Sequence, residues 1–401
     1  MTELETAWIV APVRTPIGRF GGALRPLTAD QLMVHVVAEV LARAGSDGAD
    51  LDEVIVSQSY ASSEAPCLGR WGALAAGLPI ELPGYTLDRR CGSGLQAVVN
   101  AAMNVQTGQA EAVLVVGVES MSNIEYYSTD MRWGSRAGSV TLHDRLDRGR
   151  VRSQPEARFG QISGMPETAD TLAREYQIGR DAADAFAVRS HARADAAWKQ
   201  GLFDAEVTGV PVPGKRGAVS VVATDEGIRP DSTPETLAKL PVLRAGGITT
   251  AGNSSQQNDA AAGCLVVSSR WLERHGVAPM ARLVGWAAAG VDPARMGIGP
   301  VPATRKVMER TGLDLGQMDL IELNEAFAAQ ALAVLKGLGI EDHDRVNVNG
   351  SGISLGHPIG ATGVRILTTL LHEMARREVR YGLETMCIGG GMGLSAIFER
   401  A

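Results

Sequence analysis

The sequence is poor in the residues that mark several common classes of protein. Only 4% of its 401 residues are aromatic, and its four cysteines are too few for a disulfide scaffold. Those cysteines, Cys67, Cys91, Cys264 and Cys387, lie far apart and lack the C-x-x-C spacing of a metal or redox site. We therefore expect free thiols and no metal site.

The sequence also lacks an excess of positive charge and any long apolar run. Its formal net charge is −7 at pH 7, which argues against broad binding to nucleic acid, because such binding relies on summed positive charge. No run approaches the roughly 20 apolar residues that span a bilayer. The opening stretch MTELETAWIVAPVRTP has no basic segment followed by a long apolar one. We expect a cytoplasmic protein without membrane insertion.

Strand-like and helical segments alternate along the chain, which is typical of an α/β protein. Strands are predicted at residues 7–11, 53–58 and 112–118. A helix buried nearly all round is predicted after Cys91, because apolar residues recur at helical spacing over 95–103 with alanines between them. A chain of this length is expected to form two or three packed units.

The second half of the sequence repeats the plan of the first. Residues 305–326 show the same order of helix, glycine, acidic turn and apolar strand as residues 38–59. Residues 356–391 likewise show the same order of turn, helix and strand as residues 91–118. A duplicated α/β unit explains both repeats.

The duplication predicts where the structural units begin and end. One half is expected to comprise residues 1–120 plus 251–275, and the other residues 276–401. Residues 121–250 break the rhythm with mixed charge, prolines, glycines and an arginine-rich stretch. We expect them to form an inserted cap, because long excursions from compact cores often shape binding sites.

Cys91 lies in LDRRCGSGLQ, between two arginines and a Gly-Ser-Gly turn, directly ahead of the predicted helix. A helix N-terminus carries about half a positive charge and unpaired N–H groups, and both favour a thiolate. A free cysteine, with a pKa of about 8.5, is only slightly ionised at pH 7, so this placement would supply more nucleophile. Gly92 and Gly94 would permit close approach of a ligand. Cys91 is a candidate nucleophile, with core packing as the alternative.

A partner for Cys91 lies in NVNGSGISLGHPIGATG (347–363). His357 stands there among glycines and precedes a proline suited to the first turn of a helix. As the counterpart of Cys91 in the duplicated arrangement, it could face the same cleft and take the thiol proton. A surface histidine at a helix cap is the alternative.

Two further segments place polar groups at strand ends. Asn324 follows an apolar strand, where an amide can orient water or polarise a carbonyl, and Cys387 precedes a glycine cluster. A phosphate-binding loop is not expected there, because no lysine follows and no G-x-G-x-x-G opens a helix. The alternatives are a turn-forming role for Asn324 and a strand-closing role for the glycines.

These motifs resemble those of the thiolases, which are acyl-CoA:acetyl-CoA C-acyltransferases. The resemblance covers essentially the whole chain and is carried by CGSG, NEAFA, GHPIGATG and CIGGGMG in the family's order. The stretches APVRTPIGRFGG, AGNSSQQNDAAAG and MGIGPVPAT support it, and NGSGISLGHPIGATG is most similar to the broad-range bacterial β-ketothiolases. The resemblance implies a thiolase-like α/β fold, with two duplicated halves in a five-layered α-β-α-β-α core, an inserted cap, and a homodimer or homotetramer.

The resemblance also implies a role for each reactive position. Cys91 would take the acyl group from a thioester, His357 would activate it, and Cys387 would exchange the α-proton of acetyl-CoA. Asn324 would hold a water that forms one oxyanion hole with His357, and the backbone N–H groups of Cys91 and Gly389 would form the other. The substrates would be acetyl-CoA and 3-oxoacyl-CoA, with no metal and no permanently bound cofactor.

Coenzyme A is polyanionic, so an acidic protein must supply local contacts. The family pattern places Arg229 near the nucleotide and Ser255 near the pantetheine chain. Five further substrate contacts are implied by the same pattern: Met165, Ala251, Met296, Ala326 and Phe327.

One segment departs from the family pattern. Many thiolases read H-M-G-x-T-A-E where this chain reads GMPETAD (164–170), so Gly164 takes the histidine position and Pro166 a glycine position. The change falls near the expected pantetheine and acyl path. The resemblance therefore leaves the acyl-chain preference open.

Other functions are weighed against a thiolase. A ketoacyl synthase-like condensing enzyme would pair its cysteine with two histidines or with histidine and asparagine, whereas NEAFA and Cys387 favour thiolase. A non-catalytic acyl-CoA binding protein of the same fold is disfavoured because no reactive position is missing. A Rossmann dehydrogenase needs a glycine fingerprint that is absent, and a metal hydrolase needs a ligand cluster, whereas the seven histidines are dispersed.

Overall fold

The computed structural model describes residues 4–162 and 164–401. In these residues the strands are β1 (Trp8–Arg14), β2 (Gly18–Arg19), β3 (Glu53–Ser57), β4 (Gly84–Leu87), β5 (Ala112–Ser120), β6 (Tyr126–Tyr127), β7 (His143–Asp144), β8 (Val210–Pro213), β9 (Val219–Val222), β10 (Asn258–Val267), β11 (Ala281–Gly290), β12 (Leu320–Leu323), β13 (Tyr381–Ile388) and β14 (Met392–Arg400). The helices are α1 (Ala29–Ala44), α2 (Leu68–Ala75), α3 (Ser93–Gln106), α4 (Arg145–Val151), α5 (Glu156–Phe159), α6 (Met165–Glu175), α7 (Arg180–Lys199), α8 (Pro234–Ala238), α9 (Ser269–His275), α10 (Pro300–Thr311), α11 (Ala328–Leu338) and α12 (Thr362–Arg377).

The main sheet has the order β4-β3-β5-β10-β1-β11-β14-β13-β12, with β2 beside β10. The order β3-β5-β10-β1 of the first half matches β12-β13-β14-β11 of the second. In both halves the first pair is parallel and the next two are antiparallel. The halves join where Trp8 and Ile9 of β1 pair with Arg282 and Ala281 of β11. The duplication predicted from the sequence is thus visible in the strand order.

Helices cover both faces of each half and share one layer between them. In the first half, α1 and α2 pack on one face. In the second half, α10 and α11 pack on the opposite outer side. The helices α3 and α12 lie together in the cluster between the halves. This confirms the expected five-layered α-β-α-β-α core.

Strand β5 shows why the sequence folds this way. Its nine residues are all buried, and they alternate between two apolar clusters. Val113 and Val115 face the central helices, whereas Leu114 and Val116 face α1, because successive side chains of a strand point to opposite faces. Each fully buried apolar side chain of this size contributes roughly 1.5–3 kcal/mol. The strands predicted at the three positions above are confirmed as β1, β3 and β5.

The chain leaves the sheet after β5 and returns at β10, and we call the intervening residues 121–257 the excursion. The strands β5 and β10 pair directly with each other, from Ser120 with Asp259 onward. A buried charge ties the excursion to β1. Arg14 donates from Nε to Glu206 at 2.7 Å and from Nη1 to Asp225 at 2.8 Å, with all three side chains almost fully buried. Since removing one partner of a buried ion pair is strongly destabilising, these contacts hold the excursion against the core.

The central helices approach each other through two glycines. A Cβ added at Gly363 of α12 would lie 2.0 Å from the backbone nitrogen of Leu95, and one added at Gly94 of α3 would lie 2.7 Å from that of Val364. A side chain at either position would therefore force the backbone of the two helices to move apart. The glycines therefore fix how closely the two helices pack.

We expect Gly363→Ala to lower the free energy of unfolding by about 1–3 kcal/mol through overpacking, although alanine is favoured over glycine inside a helix. Gly316→Ala is the matched control, because its added Cβ meets no atom within 4 Å. Urea unfolding of both variants measures the difference. An equal stability of the two would show that the helices can separate without loss.

Candidate active site

A cavity of about 250 Å³ lies where the two halves and the excursion meet. We call it the central cavity. Cys91 from the first half, His357 and Gly389 from the second half, and Met165 from the excursion all line it. The other lining residues are Tyr60, Arg90, Met121, Gly149, Arg150, Ser153, Pro166, Leu243, Ser254, Ser255, Gln256, Gln257, Met296, Ala326, Phe327 and Ile359.

Cys91 lies in a single 3₁₀ turn, Arg90–Gly92, that leads directly into α3. Arg90 has a φ of 49°, a left-handed conformation that is unusual for a residue with a side chain. The hydroxyl of Ser93 holds this turn, since it accepts from the N–H of Arg89 and donates to the carbonyl of Arg90, both at 2.7 Å. Cys91 is therefore fixed at the start of the helix, where the sequence places it.

The glycines beside Cys91 serve protein packing. A Cβ on Gly92 would lie 2.4 Å from the side chain of Ile388, and one on Gly94 would meet the backbone of α12. The sequence-based expectation that they make room for a ligand is wrong. They make room for β13 and α12, which bring the second half of the chain to the thiol.

The electrostatics of Cys91 also differ from the expectation of a favoured thiolate. Burial raises the pKa of the Cys91 thiol, and this outweighs the backbone N–H groups of Gly389 and of Cys91 itself and the charge of Arg90, which lower it. The thiol is therefore protonated near neutral pH. Two backbone N–H groups nevertheless point at the sulfur, and the thiol would need a nearby base before it could act as a nucleophile.

His357 has the protonation state that such a base needs. Burial, with the charges of Arg365 and Arg150, lowers the pKa of His357 to about 3. Oγ1 of Thr362 lies 2.7 Å from Nδ1 and 2.9 Å from the carbonyl oxygen of Pro358. Since the carbonyl can only accept, the hydroxyl donates to it and accepts from Nδ1–H. The lone pair is then on Nε2, the nitrogen that can receive a proton.

The loop that carries His357 is held by the other half of the chain. The N–H of His357 donates to Oδ1 of Asn258 at 2.8 Å. The N–H of Gly360 donates to Glu119 at 3.0 Å, and its carbonyl accepts from the hydroxyl of Ser57 at 2.7 Å. These bonds commit the backbone of Gly360 to β5 and β3, so α12 begins only at Thr362. The expectation that the proline after His357 starts the helix is therefore wrong.

Asn324 follows β12 and is completely buried. Its Nδ2 lies 3.4 Å from Nε2 of His357, and because an amide N–H can only donate, this contact agrees with a lone pair on Nε2. Its Oδ1 is buried without a hydrogen-bond partner in the described part of the chain. A buried carbonyl oxygen in this state is a strong acceptor for a water or a ligand donor.

Cys387 lies near the end of β13 and is completely buried. It packs in a small apolar cluster with Met296, Ala326 and Phe327, which line the central cavity. Burial raises the pKa of the Cys387 thiol strongly, and the charge that Cys91 would carry as a thiolate raises it further. The two sulfur atoms are thus within electrostatic reach of each other, with Cys387 beneath the cavity wall. All four cysteines are free thiols.

The other residues predicted for substrate binding fall into two groups. Five of them line the central cavity: Met165, Ser255, Met296, Ala326 and Phe327. Arg229 and Ala251 are exposed and do not line it. The N–H of Arg229 donates to Nδ1 of His191 at 3.1 Å, which fixes its backbone, while its side chain is free to meet a solvated group outside the cavity.

Sequence reasoning missed Arg150 and Tyr60, which both line the central cavity. With the amide of Gln257 oriented to suit its neighbours, Oε1 accepts from Nη1 and Nη2 of Arg150 at 3.0 and 2.9 Å. The arginine-rich stretch of the excursion was a signal for local positive charge. Which of its arginines faces the cavity depends on a contact between residues more than a hundred positions apart.

The described residues contain no group of three His, Cys, Asp or Glu that could hold a metal ion. Over the same ranges, 4–162 and 164–401, no helix is both long and apolar enough to cross a membrane.

Comparison with family models matches the chain along almost its whole length. Residues 7–270 match the model "Thiolase, N-terminal domain", and residues 277–400 match "Thiolase, C-terminal domain".

Individual proteins agree with the family models. The chain is 46% identical to the beta-ketothiolase BktB of Cupriavidus necator, over 98% of each chain. A crystal structure of acetyl-CoA acetyltransferase from Bacillus anthracis superposes with a TM-score of 0.96 at 42% identity, covering 100% of both chains. Human mitochondrial 3-ketoacyl-CoA thiolase in complex with CoA has a TM-score of 0.92 at 38% identity, covering 99% of this chain and 98% of that one.

Proposed function

Because the chain belongs to the thiolase family, we propose that its central cavity cleaves and forms 3-oxoacyl-CoA through an acyl group carried on Cys91. The enzyme is an acyltransferase of this family. One observation supports the assignment of roles above the others. A buried thiol, a neutral imidazole with its lone pair on Nε2, and two backbone N–H groups aimed at the sulfur converge in the same cavity.

In the cleavage direction, the Cys91 thiol gives its proton to Nε2 of His357, and the sulfur attacks the 3-oxo carbonyl. The bond between C2 and C3 then breaks, which leaves the acyl group on Cys91 and a carbanion at C2. Cys387 protonates that carbanion to give acetyl-CoA. The raised pKa of Cys387 suits this step, because its thiol keeps its proton until a strong base forms beside it.

Coenzyme A completes the reaction by attacking the acyl-Cys91 thioester, which releases the shortened acyl-CoA. The N–H groups of Cys91 and Gly389 stabilise one developing oxyanion. A water that donates to the unpartnered Oδ1 of Asn324 would act with His357 on the other thioester oxygen. Two oxyanion holes are needed because acyl transfer and carbon–carbon cleavage develop negative charge on different oxygen atoms. A lost donor typically costs about 3–4 kcal/mol of barrier.

Coenzyme A itself is proposed to contact Ser255 and Met165 at the cavity and Arg229 outside it. The exposure of Arg229 supports a role with a solvated phosphate and not with the acyl group. Ala251 is proposed to lie along the same outer path. A named relative binds CoA in its crystal structure, and this chain is proposed to use CoA as a substrate without a permanently bound cofactor.

Three further properties are proposed from the resemblance. The chain is divided into the two halves and the cap with the boundaries given above, it forms a homodimer or homotetramer, and it is cytoplasmic. Large apolar side chains on the cap support the assembly, since Trp133 is 95% exposed and Met131 and Leu142 are also exposed. Exposed apolar groups in one segment are typical of a subunit contact.

The function is tested by incubating the purified protein with acetoacetyl-CoA, with and without coenzyme A, and separating the thioesters by chromatography. We expect two acetyl-CoA for each acetoacetyl-CoA, with coenzyme A consumed in equal amount. A condensing enzyme that uses a carrier protein would not show this cleavage. A protein that only binds acyl-CoA would show no turnover, and its Cys91 would not react rapidly with iodoacetamide.

A further inference from the structure

A second cavity, which we call the arginine cavity, adjoins the central cavity. It encloses about 580 Å³, against about 250 Å³ for the central cavity. Tyr60, Arg90 and Gly149 line both. The other residues that line the arginine cavity are Ser59, Ser63, Asp88, Glu125, Tyr126, Tyr127, Arg145, Arg148 and Arg152. Because Arg90 directly precedes Cys91 and lines both cavities, a chain bound to the Cys91 sulfur in the central cavity would have the arginine cavity as its neighbour.

The arginine cavity has positive charge that the protein does not neutralise. It is lined by four arginines and two acidic residues. Glu125 is already paired with Arg145 at 3.1 Å and bonded to the hydroxyl of Ser62 at 2.6 Å. Asp88 accepts from the backbone N–H of Arg90 at 2.7 Å. In the described ranges, Arg148 and Arg152 have no carboxylate partner.

Arg148 has the geometry of a binding residue. Its guanidinium lies over the ring of Tyr127, 5.5 Å from the centroid, which orients the planar group. Its Nη1 is buried and has no hydrogen-bond partner in the described part of the chain. A buried charged donor without a partner is unfavourable. It therefore indicates a ligand group that accepts hydrogen bonds, and the planar guanidinium matches the geometry of a carboxylate or a phosphate.

On the basis of the proposed function, we infer that the enzyme acts on 3-oxoacyl-CoA thioesters whose acyl chain ends in a carboxylate, and that Arg148 binds this carboxylate. The acyl chain runs from Cys91 past the ring of Tyr60 into the arginine cavity. Cleavage breaks the bond between C2 and C3 and forms a bond between C3 and the coenzyme A sulfur. The thiol proton of coenzyme A ends on C2 of acetyl-CoA, so the products are acetyl-CoA and the CoA thioester of a shorter dicarboxylic acid.

Phosphate groups of coenzyme A are a second source of negative charge. The contacts proposed for coenzyme A, namely Ser255, Met165 and Arg229, do not line the arginine cavity. A phosphate is present in every acyl-CoA, whereas the terminal carboxylate is present in only some. A comparison of two substrates that share coenzyme A therefore separates the two sources.

The test uses two six-carbon substrates, 3-oxoadipyl-CoA, which ends in a carboxylate, and 3-oxohexanoyl-CoA, which ends in a methyl group. We expect the wild type to have the higher kcat/KM for 3-oxoadipyl-CoA. In Arg148→Met, the ratio of the two kcat/KM values should fall by roughly 10-fold to 100-fold, as expected for a lost hydrogen bond to a charged group. Arg148→Lys should restore part of the ratio, because it restores the charge without the planar fork.

Arg158→Gln is the matched control, since Arg158 is an exposed arginine of the same segment that lines neither cavity. In Arg158→Gln, the ratio of kcat/KM for 3-oxoadipyl-CoA to kcat/KM for 3-oxohexanoyl-CoA should equal that of the wild type. An unchanged ratio in Arg148→Met, including an equal loss on both substrates as a phosphate contact would give, would overturn the inference while leaving the thiolase function in place. Absence of turnover on both substrates and on acetoacetyl-CoA in the wild type would instead overturn the proposed function, and the inference with it.

Discussion

Replacing Cys91 by serine is expected to lower the rate of acetoacetyl-CoA thiolysis by at least about 10⁴-fold. A serine hydroxyl is a far weaker acid than a thiol, and His357, with its pKa lowered to about 3, is too weak a base to compensate. Serine is nearly the same size, and the position is only 9% exposed, so the fold should be kept. Steady-state rates and circular dichroism of the purified variant measure both effects.

Cys387→Ser is the matched comparison, because it changes the other thiol in the same way. Exchange of the acetyl group between acetyl-CoA and labelled coenzyme A needs the nucleophile but breaks no carbon–carbon bond. We expect Cys387→Ser to retain this exchange and to lose thiolysis, whereas Cys91→Ser should lose both. Exchange that survives in Cys91→Ser would show that another group carries the acyl chain.

Local patterns in the sequence were sufficient to predict individual strands and helices, whereas the family resemblance implied their arrangement in layers. The period-two alternation of Val113 to Val116 is a property of one strand, and the apolar residues after Cys91 mark one helix. Both kinds of pattern depend on near neighbours in the chain, so they can be read without knowing the tertiary contacts. The repeated order of elements then suggested the duplication, which the order of strands in the two halves shows.

The chemical state of the site could not be predicted in the same way. The helix N-terminus at Cys91 was visible in the sequence, but the burial that raises its pKa comes from β13 and α12, which lie nearly three hundred residues further along the chain. For the same reason, Gly92 and Gly94 could not be assigned to packing until Ile388 and Gly363 were placed against them. Local sequence gave the position of the thiol, and distant contacts decide its protonation.

Cations near the site were also hard to rank from sequence. The family pattern predicts Arg229 near the nucleotide, and the structure shows it exposed outside the central cavity. Arg150 and Arg148 flank Gly149, yet only Arg150 lines the central cavity and only Arg148 lines the arginine cavity. The difference arises because neighbouring residues on a short helix point in different directions, so an arginine-rich stretch alone does not identify which charge meets which ligand.

Replacing His357 by asparagine is expected to lower kcat/KM for acetoacetyl-CoA by about 10²-fold to 10⁴-fold, the range for loss of a general base. The neutral imidazole that is proposed to act as this base exists above its pKa of about 3. In the wild type, protonation of His357 should therefore leave kcat/KM unaffected between about pH 5 and pH 7. An acid limb with a midpoint near the ordinary histidine value of 6.5, absent from the variant, would contradict this assignment.

The same lowered pKa predicts how stability depends on pH. Between pH 6.5 and about pH 3, the unfolded chain binds a proton at this imidazole that the folded chain does not. Stability present above pH 6.5 is therefore lost as the pH falls through this window, with a contribution of up to about 1.4 kcal/mol per pH unit. His357→Asn removes the group from both states, so its free energy of unfolding should fall less steeply with decreasing pH. Urea unfolding at several pH values measures the two slopes, and equal slopes would mean that His357 is protonated as readily in the folded protein as in the unfolded one.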